Sequence, residues 1–377
     1  MDTEIQSFDA WLRRLPGAEG LRFWPPPERL YSVADLYRGL VPGQPASRLQ
    51  TWDARVYDWT LGADDKPRDL SLIQTVATRL HDAAMDRLIR DFVDHDHART
   101  IGFMGGHDVE RTEPAYEQFA RIARTLRRRG FKIVTGGGPG LMEAANFGAF
   151  MAPHDEAAFK AAMATLHTAP QCGAGLDTAA AERRKWLWTV AAVQVRQNLL
   201  GDWSAPETPG GESLGVPTWY YGAEPPNLFA SASAKYFMNS LREDGLVSIA
   251  NGGLAFGKGA AGSVQEVFQN ANYNYYRDAD IAATPMAFFG ADFWNSGVAS
   301  DALADHPLDE RRKPVFPLVR ALAAQAAQPF TDELMLSDDP AAIVDFLIAR
   351  NADRESCVRR ADRCLATVNS VSRRRRI

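Results

Sequence analysis

Residues 131–150 carry the sequence FKIVTGGGPGLMEAANFGAF. The apolar run 131–135 predicts a short buried strand, the glycines that follow predict a tight loop, and residues 141–150 predict a helix. Upstream, residues 100–106 (TIGFMGG) predict another strand that ends in glycine, and residues 115–129 place apolar side chains on one helical face. Strand, helix, strand, loop and helix in this order make the βαβ unit of a doubly wound parallel sheet.

The same α/β pattern continues toward the C-terminus after a helical insertion at about residues 152–205. The pattern returns at 214–221, and it predicts further helices over 230–241, 263–275 and 340–349 and strands over 245–255, 284–289 and 331–336. We therefore predict a Rossmann-like α/β domain over residues 98–350, in which helices cover both faces of a parallel sheet.

The segments on either side of this domain differ from it in composition. Residues 1–97 are predicted to form an arm that is irregular to about residue 68 and continues into a long amphipathic helix over 72–93. So many aromatic residues in the arm predict that it packs against the domain. Its tryptophans are Trp11, Trp24, Trp52 and Trp59. Residues 351–377 are predicted to form a helical tail with a basic end, RRRR at 373–376.

The composition excludes several classes of protein. With 46% hydrophobic and 24% charged residues among 377, the chain is typical of globular proteins. A formal net charge of −5 does not favour nucleic acid as a partner. The three cysteines make no disulfide framework, and no segment has the pattern of a secretory signal or a membrane span. We therefore expect a cytoplasmic protein without a membrane partner.

The first glycine loop, residues 136–140, is the main candidate for ligand binding. Successive glycines let backbone N–H groups turn toward a ligand, and the helix that starts near Pro139 points its positive end at the same place. The alternative is a tight turn without a ligand, but three glycines followed by Pro-Gly exceed what a turn requires. The loop therefore predicts a cradle for a phosphate or another anion.

A second loop, GKGAAGS at residues 257–263, leads into another predicted helix. It offers backbone N–H groups, the Ser263 hydroxyl and the Glu266 carboxylate. Because S-x-x-E before an apolar run is also the pattern of a helix capping box, Ser263 and Glu266 have an equally good structural interpretation. Since both loops follow parallel strands, we expect them to open on the same edge of the sheet, with phosphate between the two helix starts.

The two loops together resemble the LOG ("lonely guy") family of nucleoside monophosphate phosphoribohydrolases, also labelled lysine decarboxylase-like. That family pairs GGG-x-G-x-M with a later P-G-G-x-G-T-x-x-E. Here residues 136–142 are GGGPGLM, and residues 258–266, KGAAGSVQE, stand in the place of the second motif. The resemblance implies hydrolysis of the N-glycosidic bond of a purine nucleoside 5′-monophosphate to free base and ribose 5-phosphate. It also implies no metal, no organic cofactor, and a homodimer or higher homo-oligomer.

Site residues follow from the resemblance by position. Glu266 matches the family's catalytic glutamate. The family's catalytic arginine precedes a lysine on the helix before that motif; here the corresponding segment, 234–242, has no Arg-Lys pair, and Arg242 is the candidate. The predicted phosphate- and ligand-binding residues are Gly105, Gly106, Gly136, Gly137, Gly138, Gly140, Glu143, Lys258, Gly259, Gly262 and Ser263.

Some alternatives remain open on the sequence alone. Glu143 is placed either to touch the ligand or to pair with a lysine. His107 and Asp108 form a polar turn, or Asp108 contacts ribose or base. For the whole protein, the alternative function is a non-catalytic nucleotide or second-messenger sensor on the same fold. Related folds also occur in molybdenum-cofactor carriers and DNA-processing proteins, and fold analogy does not choose among these.

Overall fold

The computed structural model describes residues 21, 23, 26–62, 66–94, 99–173, 179–220, 224–295 and 312–352. Within these residues a single sheet of seven strands has the order β4-β3-β2-β1-β5-β6-β7, and every neighbouring pair is parallel. The strands are β1 Thr100–Met104, β2 Lys132–Thr135, β3 Ser213–Gly215, β4 Ala232–Ser233, β5 Gly253–Phe256, β6 Met286–Phe289 and β7 Leu334–Ser337. This confirms the predicted doubly wound α/β fold.

Strand β1 is the centre of the sheet, because the chain adds β2, β3 and β4 on one side of it and β5, β6 and β7 on the other. Phe103 pairs in register with both Thr135 of β2 and Ala255 of β5. The strand order therefore reverses between β1 and β5, which is the position where open parallel sheets bind ligands. Because crossovers between parallel strands are right-handed in nearly all proteins, this strand order is expected to place the helices of the two halves on opposite faces.

The helices alternate with these strands, and the insertion and the arm contribute others. Their bounds are α1 Val33–Leu36, α2 Trp52–Thr60, α3 Leu72–Asp94, α4 Pro114–Arg128, α5 Leu141–Phe150, α6 Glu156–His167, α7 Ala179–Leu200, α8 Asn239–Ser248, α9 Ala261–Tyr276, α10 Ala291–Asn295, α11 Phe316–Gln325 and α12 340–352. Short 3₁₀ turns cover Pro45–Gln50 and Thr331–Glu333. The predicted insertion thus consists of α6 and α7. None of the helices described is both long and apolar enough to cross a membrane.

Helix α5, which follows the first glycine loop, lies deep in the protein. Apart from Met142, all of its residues are buried. A side chain at Gly148 would collide with the backbone carbonyl of Ala120 on α4, so glycine allows the two helices to approach closely. This contact packs the C-terminal half of α5 closely against α4.

The predicted helix over 230–241 is wrong. Residues 232–233 form strand β4, and α8 begins only at Asn239. The cause is a contact from α3, far away in sequence. The Asp82 carboxylate accepts hydrogen bonds from the backbone N–H groups of Phe237 and Met238, both at 2.9 Å. These bonds hold the segment extended and satisfy two donors just before the helix.

Strand boundaries also differ from the predictions at three places. Helix α8 continues to Ser248, so residues 245–248 of the predicted strand region are helical and β5 begins at Gly253. Strand β3 covers only the first part of the 214–221 pattern, and the last predicted strand starts with a 3₁₀ turn before β7. Short apolar runs beside prolines and glycines do not show where pairing ends.

The described part of the arm packs on the domain through aromatic rings. The ring centroids of Trp52 and Trp219 lie 5.8 Å apart, and Trp59 lies 6.1 Å from Phe237. Trp59 is buried. Trp11, Trp24 and the basic residues 373–376 lie outside the described residues.

Candidate functional site

The loops that follow β1, β2 and β5 meet at one edge of the sheet. Parallel strands end at the same edge, so the two glycine loops open on it together, as the sequence predicted. Gly106 connects them: its N–H donates to the carbonyl of Lys258 at 2.8 Å, and its carbonyl accepts from the N–H of Leu141 at 3.0 Å. The first turn of α5 and the second glycine loop are therefore held to the end of β1.

The first glycine loop is supported by a buried network of polar side chains. Asn146 accepts a hydrogen bond from the Thr135 hydroxyl at 2.6 Å and another from the Asn227 amide at 2.9 Å. Thr135 accepts from the N–H of Gly137, and Asn227 donates to the carbonyl of Gly138 at 3.1 Å. Because these partners fix both sides of the loop, its conformation exists before any ligand binds.

Glycine is required in this loop for two different reasons. Gly137 and Gly140 have φ of 74° and 68°, in the left-handed region that glycine adopts without strain. A side chain at Gly140 would also collide with the carbonyl of Gly106, and one at Gly136 would collide with the guanidinium of Arg242. The loop is thus shaped to bring other groups close to its backbone.

Arg242 reaches this loop from α8. Its Nε donates to the carbonyl of Val216 at 2.7 Å, and its Nη2 donates to the carbonyl of Gly136 at 3.3 Å. The side chain is buried. The candidate arginine therefore lies against the first glycine loop, although no Arg-Lys pair marks it in the sequence.

Glu266, on α9, is buried beside Arg242 without a hydrogen bond from any residue that the structure describes. Burial raises the pKa of its carboxyl from 4.5 to about 7; the charge of Arg242 opposes this rise and that of Glu243 adds to it. The structure therefore brings the two predicted catalytic side chains within electrostatic range of each other.

The capping-box interpretation of Ser263 and Glu266 is wrong. Helix α9 begins at Ala261 with Ala260 as its N-cap, and no side chain caps it. Ser263 is the third residue of the helix, and its hydroxyl lies against Gly259, where a side chain would collide with it. Neither Ser263 nor Glu266 is therefore explained by the helix start.

The other predicted ligand residues are distributed around this edge. Gly259 packs against Gly106 and Ser263, whereas Gly262 is exposed in the first turn of α9 with open space around it. Gly105 packs against the side chain of Leu141 and faces the core. Lys258 pairs with Glu113 at 2.6 Å, so its charge is partly balanced within the protein.

Glu143 lies in a buried ion pair. Arg111 donates to its two carboxylate oxygens at 2.5 and 2.9 Å, and the Trp188 indole donates to it at 3.2 Å. This arrangement matches the alternative in which Glu143 partners a cation, although the cation is Arg111 and not a lysine. Arg111 and Trp188 also connect the start of α5 to helix α7 of the insertion.

A cavity of about 250 Å³ adjoins the start of α5. It lies between the connection that follows β1, the segment before α7, and α7 itself. Its lining includes His107, Asp108, Gly140, Gln171 and Arg184. In the described residues no group of three His, Cys, Asp or Glu side chains could hold a metal ion.

Sequence reasoning missed Glu224, in the long connection between β3 and β4. One of its carboxylate oxygens lies 3.3 Å from Nδ1 of His107, and the other lies directly over Gly138. Burial raises the pKa of this carboxyl; the charges of His107 and Arg242 oppose the rise. No periodic pattern surrounds Glu224. The feature of the sequence that could have pointed to it is its place in the connection after strand β3, since ligands bind at the carboxyl ends of parallel strands.

Comparison with known proteins adds no family to this description. No protein-family model matches the chain, and no curated protein sequence matches it. The fold and the site define a doubly wound α/β protein in which two glycine loops follow neighbouring parallel strands. A buried arginine lies against the first loop, and its charge acts on the carboxyls of Glu224 and Glu266.

Proposed function

We propose that this chain is a LOG-like nucleoside 5′-monophosphate phosphoribohydrolase, which hydrolyses the N-glycosidic bond of a purine nucleotide to free base and ribose 5-phosphate. The observation that carries the proposal is that the charge of Arg242 acts on the buried carboxyl of Glu266, which comes from a different helix. Arg242 also donates to the carbonyl of Gly136 in the first glycine loop. This is the arrangement that the resemblance to the LOG family implies.

The chemistry fits a carboxyl in the environment of Glu266. In the proposed reaction water adds to C1′ of the ribose, and the C1′–N bond breaks with its electron pair on the base. Glu266 takes a proton from the water, and the base gains one in exchange. A carboxyl whose pKa is about 7 suits this task near neutral pH, and its ionised form stabilises the positive charge that develops on the sugar.

The phosphate is proposed to bind at the start of α9. Residues 260–262 are exposed there, and the first-turn N–H groups, with the positive end of the helix, attract an anion. Gly259 allows close approach, and the Ser263 hydroxyl lies beside it. The cavity next to α5 is smaller than the roughly 300 Å³ at which ligand pockets commonly begin, so we assign it to the base and not to the whole nucleotide.

Incubation of the purified protein with a panel of nucleoside monophosphates tests the proposal, with chromatography to detect free base. Glu266→Gln is expected to abolish base release, and Arg242→Ala is expected to slow it by about 100-fold or more. Glu117→Gln, the same kind of change on the exposed face of α4, is the matched control and should retain full activity. Failure of every nucleotide to release base would overturn the hydrolase.

Nucleotide binding without base release would instead support the alternative, a non-catalytic nucleotide or second-messenger sensor. The preformed first loop favours this as the second candidate, because it provides a binding surface whether or not chemistry follows. We also propose a homodimer, as the resemblance implies, and a cytoplasmic location, as the cysteine content predicts. Light scattering on the purified protein tests the oligomeric state.

A further inference from the structure

Glu224 places a negative charge directly over the first glycine loop. One of its oxygens is 3.3 Å from the point where a Cβ on Gly138 would stand, and the other is 3.3 Å from Nδ1 of His107. Its side chain is 22% exposed, so a ligand on the loop can reach it. Arg242 and Asp108 are close enough to act on its charge. A ligand that lies over Gly138 therefore has a carboxylate beside it.

This carboxylate has capacity for further hydrogen bonds. An ionised carboxylate offers about four acceptor positions. Among the described residues, His107 is the one polar partner that the structure gives it. A glutamate held over a loop of small residues, with acceptor positions left open, is more consistent with ligand recognition than with a role in the fold.

The negative charge of Glu224 decides which part of a nucleotide can lie next to this side chain. A phosphate over Gly138 would be repelled by Glu224 at close range, and burial strengthens that repulsion. Ribose hydroxyls are neutral donors, and carboxylates accept from them; acidic side chains serve this purpose in dinucleotide sites on the same class of fold. The sugar therefore belongs over Gly136–Gly138, and the phosphate belongs at the exposed start of α9.

We propose that Glu224 recognises the ribose hydroxyls of the substrate and makes the site select ribonucleotides over 2′-deoxyribonucleotides. His107 is a positioning residue, because it contacts the other oxygen of Glu224 and not the one beside Gly138. This inference rests on the proposed function for the identity of the ligand. It adds the orientation of the sugar between Glu224 on one side and Glu266 with Arg242 on the other.

Binding of two sugar phosphates by the full-length protein tests the assignment without requiring hydrolysis. Isothermal titration calorimetry should show ribose 5-phosphate bound about 10- to 100-fold more tightly than 2-deoxyribose 5-phosphate, the effect of a hydrogen bond to a charged acceptor. Glu224→Ala should remove this preference by weakening the ribose compound alone. Glu224→Gln, which keeps the size of the side chain, should reduce it. Glu117→Gln, which removes a carboxylate charge from the exposed face of α4, should leave it intact.

Several results would overturn the assignment. They are an unchanged preference in Glu224→Ala, loss of the preference in Glu117→Gln, and tighter binding of both sugar phosphates and of inorganic phosphate by Glu224→Ala. The last would show that Glu224 excludes anions. Base release without a ribose preference would reject the role of Glu224 and support the hydrolase. A ribose preference without base release would support the role of Glu224 and reject the hydrolase. If neither sugar phosphate binds, both proposals are rejected.

Discussion

Replacing Glu266 by glutamine is expected to make the folded protein more stable at alkaline pH, although it should abolish turnover. The carboxyl is buried without a hydrogen bond from any described residue, and its pKa rises from 4.5 to about 7. Each pKa unit corresponds to about 1.4 kcal/mol, so keeping the group ionised in the folded state costs about 3 kcal/mol. Glutamine has nearly the same shape and no charge, and therefore avoids this cost.

The pH dependence follows from the direction of the pKa change. Below about pH 4.5 the carboxyl is protonated in both the folded and the unfolded state, and the two proteins should be equally stable. Between about pH 4.5 and 7 the unfolded state releases the proton while the folded state retains it, so wild type loses stability as pH rises. Above about pH 7 the difference should reach its full value.

Urea unfolding followed by tryptophan fluorescence, at about pH 5, 6.5 and 8, measures the free energy of unfolding of both proteins. Glu117→Gln is the matched control, because its side chain is 41% exposed and its surface pair with Arg121 contributes at most about 1 kcal/mol. Equal stability of wild type and Glu266→Gln at about pH 8, or a difference that does not change with pH, would refute the reasoning. A carboxylate kept where it lowers stability is characteristic of active sites.

Three further substitutions test the site and its support. Gly140→Ala should lower the free energy of unfolding by more than about 2 kcal/mol in the urea assay, because its new side chain collides with backbone. Gly130→Ala is the control: it is also at positive φ but in open space, and it should cost about 1 to 2 kcal/mol. Equal costs would contradict the predicted collision. Arg111→Met should lower the free energy of unfolding by about 3 to 5 kcal/mol, because it leaves Glu143 charged without its ion-pair partner. Adding Glu143→Leu should restore most of that stability. A double variant no more stable than Arg111→Met would contradict this reasoning. Arg242→Ala should lower turnover by about 100-fold or more in the base-release assay, and an unchanged rate would remove Arg242 from the mechanism.

Much of the part of the sheet that carries the first glycine loop could be predicted from local patterns. The strand at 132–135, the loop and helix α5 agree with the prediction almost residue for residue. Helix α4 and strand β1 agree to within a few residues. These elements are encoded by neighbours in the chain, because apolar periodicity and glycine placement act over one or two turns. The shared edge of the two loops followed from the parallel sheet alone.

The details of the site depend on contacts between residues far apart in sequence. Asp82 accepts a hydrogen bond from the N–H of Met238, just before α8 begins. This contact helps to set where α8 starts, and Arg242 on α8 then reaches the first loop. Glu143 has Arg111 as its partner across 32 residues, and Glu224 reaches His107 from a connection without pattern.

Local sequence therefore decides which strands and loops form, since backbone preference and apolar spacing are short-range effects. The pairing, burial and pKa of each charged side chain are decided by long-range packing, because the electrostatic cost of a buried group depends on everything that surrounds it in the folded state.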